Sequence, residues 1–168
     1  MHRTALIAVT AVLSAVAGLG TATPASAAAP LPYCSASVDT GVVTCAASEE
    51  GLRAAQQPVP HLGTSGTLAA AASTTYVLGR LYDDANRAGA FFEITASGPC
   101  DTSSDLDWEL GALPAVWQDR TSSFQGYSDC QIRVYENNSF GGLTYGTYSS
   151  TNYVGDALND RTSSVRFY

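Results

Sequence analysis

The fold is decided by two short stretches near the end of the chain: YENNSFGG at Tyr135–Gly142 and NDRTSS at Asn159–Ser164. Both patterns also occur earlier, as YDDANRAG at Tyr82–Gly89 and QDRTSS at Gln118–Ser123. We call Tyr82–Gly89 and Tyr135–Gly142 the first and second loop, and the two hexapeptides the first and second clamp. Loop and clamp alternate twice, which indicates a duplicated supersecondary unit. The first copy is longer by about a dozen residues, which we place within 98–113.

Short runs of alternating apolar and polar residues surround both copies. From Tyr76 onward they read YVLGRLYDD, GAFFEIT, CQIRVYENN, LTYGTY and SSVRFY, separated by Gly, Asn, Asp and Ser. Period-2 runs divided by turn-forming residues predict an all-β sandwich or barrel. No segment of this part shows a sustained helical stripe.

The repeated patterns carry a family resemblance. Tyr-x4-Phe-x-Gly in the second loop, followed by Asn-Asp-x-x-Ser-Ser in the second clamp, resembles the βγ-crystallin family, and most of all its microbial calcium-binding members. The resemblance covers about 76–168 and implies an all-β, double Greek-key sandwich. The first copy departs twice, because Arg87 replaces the aromatic residue and Gln118 replaces the first Asn/Asp of the clamp.

The N-terminal part is a different kind of sequence. Residues 1–27 combine a basic start, an apolar run and Ala25-Ser26-Ala27, which is typical of a secretory signal peptide and short for a membrane span. We therefore expect a secreted, extracellular protein. Residues 28–75 are expected to be an N-terminal extension and linker, and residues 76–168 the crystallin-like domain.

One helix is expected in the extension. Ser48 with Glu49 and Glu50 is typical of a helix N-terminus, opening EEGLRAAQQ, and Pro58 ends it. Before it, Asp39-Thr40-Gly41 predicts a turn between two short extended pieces. Gly63–Thr75 is rich in small residues and is interpreted as a linker.

All four cysteines follow the signal sequence. An even number in an exported chain favours two disulfides, and four cysteines allow three connectivities. We favour Cys34–Cys45 with Cys100–Cys130 because each bond closes a short loop, although the sequence leaves the other two pairings open.

Charge limits the classes of partner. The chain carries a net charge of −7 and has no lysine, and removal of Arg3 with the signal leaves 7 basic against 15 acidic residues, a net −8. Such a surface argues against nucleic acid and anionic membranes. It is compatible with cations.

The clamp sequence offers chemistry suited to one class of cation. Carboxylate, amide, hydroxyl and carbonyl oxygens within six residues are hard donors that favour Ca²⁺ over Zn²⁺ or copper. One clamp cannot supply six or seven ligands, whereas two clamps could complete each other's sites. The alternative is that Asn-Asp caps a turn and the serines bond backbone groups.

The resemblance implies two calcium ions and a role for each ligand. In each clamp, the second and fifth residues would donate side-chain oxygens and the third its carbonyl. Asp83 and Glu136 would donate loop carbonyls, while Ser123 and Ser164 would stabilise the fold. The implied clamp ligands are Asp119, Arg120 and Ser122 in the first clamp, and Asp160, Arg161 and Ser163 in the second. The arginine charges are expected to weaken binding.

Other constellations are weaker, and we expect a monomer without catalytic activity. His61 lacks a nucleophile motif beside it. The acids from Asp101 to Glu109 around Trp108 are interpreted as a solvated loop rather than a glycosidase pair. An alternative function is inhibition of an extracellular metalloproteinase through the loop 98–113, anchored at Cys100. A cell-wall-directed or antimicrobial role would rest on secretion alone.

Overall fold

The computed structural model describes residues 32–57 and 74–168. The expected signal peptide, His61 and nearly all of the expected linker lie outside these residues. The described residues form ten β-strands, one α-helix and two single-turn 3₁₀ helices, and the all-β prediction is confirmed.

The elements follow the chain in this order. The N-terminal part holds β1 (Tyr33–Ser37), β2 (Val43–Ala46) and α1 (Glu49–Gln56). The first copy holds β3 (Tyr76–Tyr82), a 3₁₀ turn (Ala85–Arg87), β4 (Phe91–Ala96), β5 (Trp108–Leu110) and β6 (Ser123–Gly126). The second copy holds β7 (Ile132–Tyr135), a 3₁₀ turn (Asn138–Phe140), β8 (Thr144–Tyr148), β9 (Ser150–Thr151) and β10 (Ser164–Phe167).

Two sheets are built to the same plan. The larger sheet has the order β2-β1-β4-β3-β6-β9, and the smaller sheet the order β5-β10-β7-β8. Within them, β9-β6-β3-β4 and β5-β10-β7-β8 are equivalent antiparallel sets. Each set contains three strands of one copy and one strand of the other copy. The exchanged strand is β9 in the larger sheet and β5 in the smaller sheet.

This exchange of a strand joins the copies. The β5 strand belongs to the first copy but pairs with β10, where Leu110 is opposite Val165. The β9 strand belongs to the second copy but pairs with β6, where Thr151 is opposite Phe124. The exchange confirms the double Greek-key prediction. The β5 strand lies within 98–113, where the first copy was expected to be longer.

Residues from both sheets form one hydrophobic core. Trp117, directly before the first clamp, is fully buried and stacks on Phe92 at 5.9 Å between ring centroids. Leu158 occupies the equivalent place before the second clamp and is also buried. The duplicated positions therefore both point inward.

The N-terminal extension adds two strands to one edge of the larger sheet. Its β1 strand runs parallel to β4, with Cys34 opposite Phe92, and β2 follows antiparallel at the edge. The expected helix is confirmed as α1, capped by Ser48, whose Oγ accepts from the Gly51 N–H at 3.1 Å. No helix among the described residues is long and apolar enough to cross a bilayer.

Both disulfides have the favoured pairing. Cys34–Cys45 links β1 to β2 across their hairpin. Cys100–Cys130 links the segment after β4 to the segment before β7. The second bond therefore connects the first copy to the second.

Candidate metal centre

The two loops have the same backbone conformation. Asn86 and Arg87 have positive φ values of 61° and 60°, and Ser139 and Phe140 have φ values of 54° and 63°. Gly89 and Gly142 end the loops at φ 76° and 77°. A Cβ at Gly89 would collide with the Asp83 carboxylate, and a φ of 76° is strained for any residue other than glycine. Replacement of the aromatic by Arg87 has therefore not changed the loop.

A buried serine at the end of each clamp closes the loop of its own copy. Ser123 Oγ donates to the Asp84 carbonyl at 2.6 Å and accepts from the Arg87 N–H at 2.9 Å. Ser164 Oγ donates to the Asn137 carbonyl at 2.6 Å and accepts from the Phe140 N–H at 3.1 Å. Both serines use their hydroxyls to fix the loops.

The two clamps bind each other reciprocally. The Asp119 N–H donates to the Thr162 carbonyl at 3.0 Å, and the Asp160 N–H donates to the Thr121 carbonyl at 3.2 Å. Both aspartates have left-handed backbone, with φ of 57° and 56°. The second residue of each clamp is thereby held against the fourth residue of the other.

Several implied ligands lie close together. Ser122 Oγ donates to the Asp83 carbonyl at 2.7 Å, which joins clamp and loop within the first copy. Ser163 Oγ donates to Asp119 Oδ1 at 3.3 Å, which joins the second clamp to the first. Side-chain oxygens from both clamps therefore converge across the interface of the two copies.

The first residue of the clamp differs between the copies in its side-chain contact. Asn159 Nδ2 donates to Asp160 Oδ2 at 2.8 Å, which fixes the neighbouring aspartate. Gln118 Nε2 instead donates to the Leu113 carbonyl at 3.0 Å. The longer side chain therefore supports the preceding turn rather than its clamp aspartate.

The arginine side chains make contacts that sequence reasoning missed. Arg120 Nη2 pairs with Asp83 Oδ2 at 2.7 Å, and Arg161 Nη2 pairs with Glu136 Oε1. The available signal was the recurrence in both copies of an acid after the loop tyrosine and an arginine third in the clamp. The sequence predicted backbone carbonyl ligands from these four residues and a weakening effect of the arginine charges, but not these ion pairs.

The oxygen donors of the two clamps and loops fit a hard cation that accepts few carboxylate ligands. Its oxygens come from hydroxyls, backbone carbonyls and one aspartate in each clamp, which are ligand types that Ca²⁺ accepts. Asp83 Oδ1 is buried and has no hydrogen-bond partner among the residues described. Those residues contain no cluster of three or more His, Cys, Asp or Glu side chains. A site here would depend on carbonyl and hydroxyl oxygens.

The tryptophan of the acidic segment 101–109 packs on the core. Trp108 is partly buried against it, and its Nε1 donates to the Pro99 carbonyl at 3.3 Å. Glu109 pairs with Arg166 at 3.1 Å. Residues 101–106 are exposed.

Comparison with solved structures finds βγ-crystallin domains. One from Clostridium beijerinckii is 27% identical, with a TM-score of 0.41 and coverage of 54% of this chain and 97% of that domain. One from Flavobacterium johnsoniae is 24% identical, with a TM-score of 0.40 and coverage of 54% and 93%. A βγ-crystallin from Ciona intestinalis is 20% identical, with a TM-score of 0.39 and coverage of 54% and 98%. No protein-family model matches the chain, and no curated protein matches it.

The class of fold follows from the topology itself. Two copies of one motif, each lending a strand to the other's sheet, form a βγ-crystallin-like double Greek-key domain. This topology confirms the double Greek-key fold that the sequence resemblance implied. The extension, with β1, β2 and α1, adds to this plan at one edge.

Proposed function

We propose that the protein is a secreted calcium-binding protein in which up to two Ca²⁺ ions bind at the paired clamps and mainly stabilise the fold. The observation that supports it most is the contact between the two clamps, where Ser163 Oγ lies 3.3 Å from Asp119 Oδ1. The signal-like N-terminus and two disulfides support secretion. Residues 76–168 would be the binding domain and 28–75 its extension.

Each ion would be held by oxygens from both copies. Asp119, Arg120 and Ser122 would act with their counterparts Asp160, Arg161 and Ser163, and with the Asp83 and Glu136 carbonyls. Bound calcium would supply positive charge between the clamps. The role is binding rather than catalysis.

Few carboxylates per ion predict modest affinity. We expect dissociation constants on the order of 10⁻⁶ to 10⁻³ M from the charge-count rule for calcium sites. Calcium at about 100 times its dissociation constant would stabilise the fold by roughly 2.7 kcal/mol. Such a gain is a substantial share of the stability of a small domain.

Calorimetric titration of the mature protein, with thermal melts in calcium and in EDTA, tests this function. Two weak sites and a lower melting temperature in EDTA are expected. The double variant Asp119→Ala/Asp160→Ala should lose calcium binding and the effect of EDTA on the melting temperature. The exposed control Asp105→Ala should behave as wild type. Absence of heat and of any melting shift in wild type would contradict the proposal.

Inhibition of a secreted metalloproteinase is the second candidate, and one feature favours it. The exposed segment after β4 is tied down by Cys100–Cys130 and by its own hydrogen bonds. Asp101 Oδ1 accepts from the Ser103 N–H at 2.6 Å, and Asp107 Oδ2 from the Asp101 N–H at 3.3 Å. A braced, exposed loop suits entry into a protease cleft. Slow, stable inhibition across a panel of metalloproteinases, lost on replacing residues 101–106 by glycine and serine, would support this role.

A further inference from the structure

We propose that Arg120 and Arg161 are built-in counter-cations of the paired clamps, which hold each clamp to its loop in metal-free protein and lower the affinity of the clamps for calcium. The second half of this inference rests on the proposed calcium binding, and the first half does not.

The ion pair of Arg120 with Asp83 binds the first clamp to a loop residue whose carbonyl is an implied calcium ligand. Arg120 Nη2 contacts Asp83 Oδ2 at 2.7 Å, while Ser122 Oγ donates to the carbonyl of the same Asp83 at 2.7 Å. Arg120 Nη1 donates to the Val116 carbonyl at 3.0 Å, and the guanidinium carbon lies 4.5 Å from the Trp117 ring centroid. The guanidinium therefore joins the loop, the clamp and the turn before the clamp.

The second pair repeats this arrangement. Arg161 Nη2 contacts Glu136 Oε1, and Arg161 Nη1 donates to the Ala157 carbonyl at 3.4 Å. Val116 and Ala157 each lie four residues before their arginine. Because the contacts with the loop acid and with the carbonyl four residues earlier occur in both copies, they are a property of the duplicated unit.

Charge gives these contacts a consequence for metal binding. Each acid lies in the loop that would coordinate calcium, and each arginine supplies the neutralising charge that an incoming cation would otherwise supply. A fixed positive charge beside a cation site lowers cation affinity, since like charges repel in the partly buried interface. The same ion pair holds each clamp to its loop when no cation is bound.

The two pairs differ in burial, which ranks their effects. The Arg120 side chain is 28% exposed and stacks on Trp117, whereas that of Arg161 is 53% exposed. Charges are screened less in the more buried pair. We expect the larger effect from Arg120.

The test uses Arg120→Gln, Arg161→Gln and the double variant in the mature protein. Glutamine removes the charge and keeps a polar side chain. Calcium titration should show dissociation constants lowered about threefold or more per arginine removed, while melts in EDTA show lower melting temperatures than wild type. Arg53→Gln removes an exposed ion pair with Glu49 on α1 and should change neither quantity.

Tighter calcium binding together with lower stability in EDTA separates this role from a merely structural one, which would lower stability without strengthening binding. Unchanged or weaker calcium binding in the arginine variants would overturn the inference, as would an unchanged melting temperature in EDTA. If wild type binds no calcium, the proposed function fails, but gained binding in the double variant would still support the counter-cation role and continued absence would overturn it. If Arg120→Gln does not fold, Asp83→Asn serves instead: the unpaired arginine should weaken calcium binding, and equal or tighter binding contradicts the inference.

Discussion

The serines that end the clamps are the residues on which the loops depend most directly. Ser123 and Ser164 are fully buried, and each hydroxyl joins one loop carbonyl to one loop N–H. Replacing either hydroxyl leaves two backbone groups without a partner. A hydrogen bond contributes about 0.5–1.5 kcal/mol, so the loss of two bonds costs about 1–3 kcal/mol.

We therefore predict that Ser123→Ala and Ser164→Ala each lower the free energy of unfolding by about 1–3 kcal/mol. Urea denaturation of the mature protein measures this loss. Ser149→Ala, at an exposed position between β8 and β9, is the matched control and should stay within about 0.5 kcal/mol of wild type. Equal small losses in all three variants would contradict the role assigned to the two clamp serines.

A buried tyrosine gives the fold a pH dependence in alkaline solution. Burial raises the pKa of Tyr82 to about 12, with a further contribution from the Tyr127 hydroxyl 3.5 Å away. The unfolded chain loses this proton near pH 10 and the folded chain near pH 12, so the folded state holds the proton more tightly. The associated stability, roughly 2–3 kcal/mol, is fully present below pH 10 and is lost as pH rises to 12.

The variant Tyr82→Phe should remove this term, because phenylalanine has no proton to lose. We expect its free energy of unfolding to fall less steeply than that of wild type between pH 10 and pH 12. Denaturant melts at closely spaced pH values measure the slope. Tyr148→Phe, at a half-exposed tyrosine, should keep the wild-type slope. Parallel curves for Tyr82→Phe and wild type would show that this tyrosine does not carry the dependence.

Among the elements, those with regular alternation were predictable from the sequence. The strands β3, β7, β8 and β10 fall within the alternating runs, β4 extends one residue beyond its run, and α1 begins after the expected N-cap. The strands β5 and β9 have three and two residues, too few to show a period, and their partners come from the other copy. Their place is set by tertiary pairing, which local sequence does not encode.

At the candidate site, donor types were predictable but contacts of long side chains were not. Asp119 and Ser163 belong to a repeated oxygen-rich hexapeptide, so their type and pairing could be argued from spacing. The guanidinium of Arg120 can reach many partners, and only the folded loop decides that it meets Asp83. Whether these residues bind calcium stays a prediction.

The extension meets the first copy through a second, smaller apolar cluster. Leu52 of α1 packs with Tyr82 and Phe91, beside the partly buried Tyr33. Tyr33 and Phe91 make an edge-to-face contact at 5.4 Å between centroids, as do Tyr82 and Phe91 at 6.1 Å. This cluster attaches the helix to the sheet.

Leu52→Ala should therefore lower the free energy of unfolding by about 2–5 kcal/mol, the usual range for a buried leucine. Arg53→Ala, at the next and exposed position of α1, should cost much less. Urea denaturation of both variants gives the comparison. A loss at Leu52 no larger than at Arg53 would mean that the extension contributes little to the stability of the domain.

In the whole molecule, the two copies have the same loop backbone but differ in the side chains that pack around the loop tyrosine. In the second copy, Phe140 of the loop packs edge-to-face on Tyr135, with centroids 5.6 Å apart. The first copy has Arg87 at that place, and the aromatic neighbour of Tyr82 is Phe91 instead. The extension adds Leu52 of α1 and Tyr33 of β1 to the cluster around Tyr82 and Phe91. The second copy packs Phe140 of its own loop on Tyr135 instead.

The two disulfides constrain the molecule at different ranges, and this difference makes the last prediction. Cys34–Cys45 spans 11 residues inside the extension, whereas Cys100–Cys130 spans 30 residues and joins the two copies. Loop-closure entropy gives about 3 kcal/mol for the shorter loop and nearly 4 kcal/mol for the longer one. Cys100→Ala/Cys130→Ala should therefore lower the free energy of unfolding by about 1 kcal/mol more than Cys34→Ala/Cys45→Ala, as measured by urea denaturation. The reverse order would mean that the extension hairpin, rather than the link between the copies, is the more important constraint on the fold.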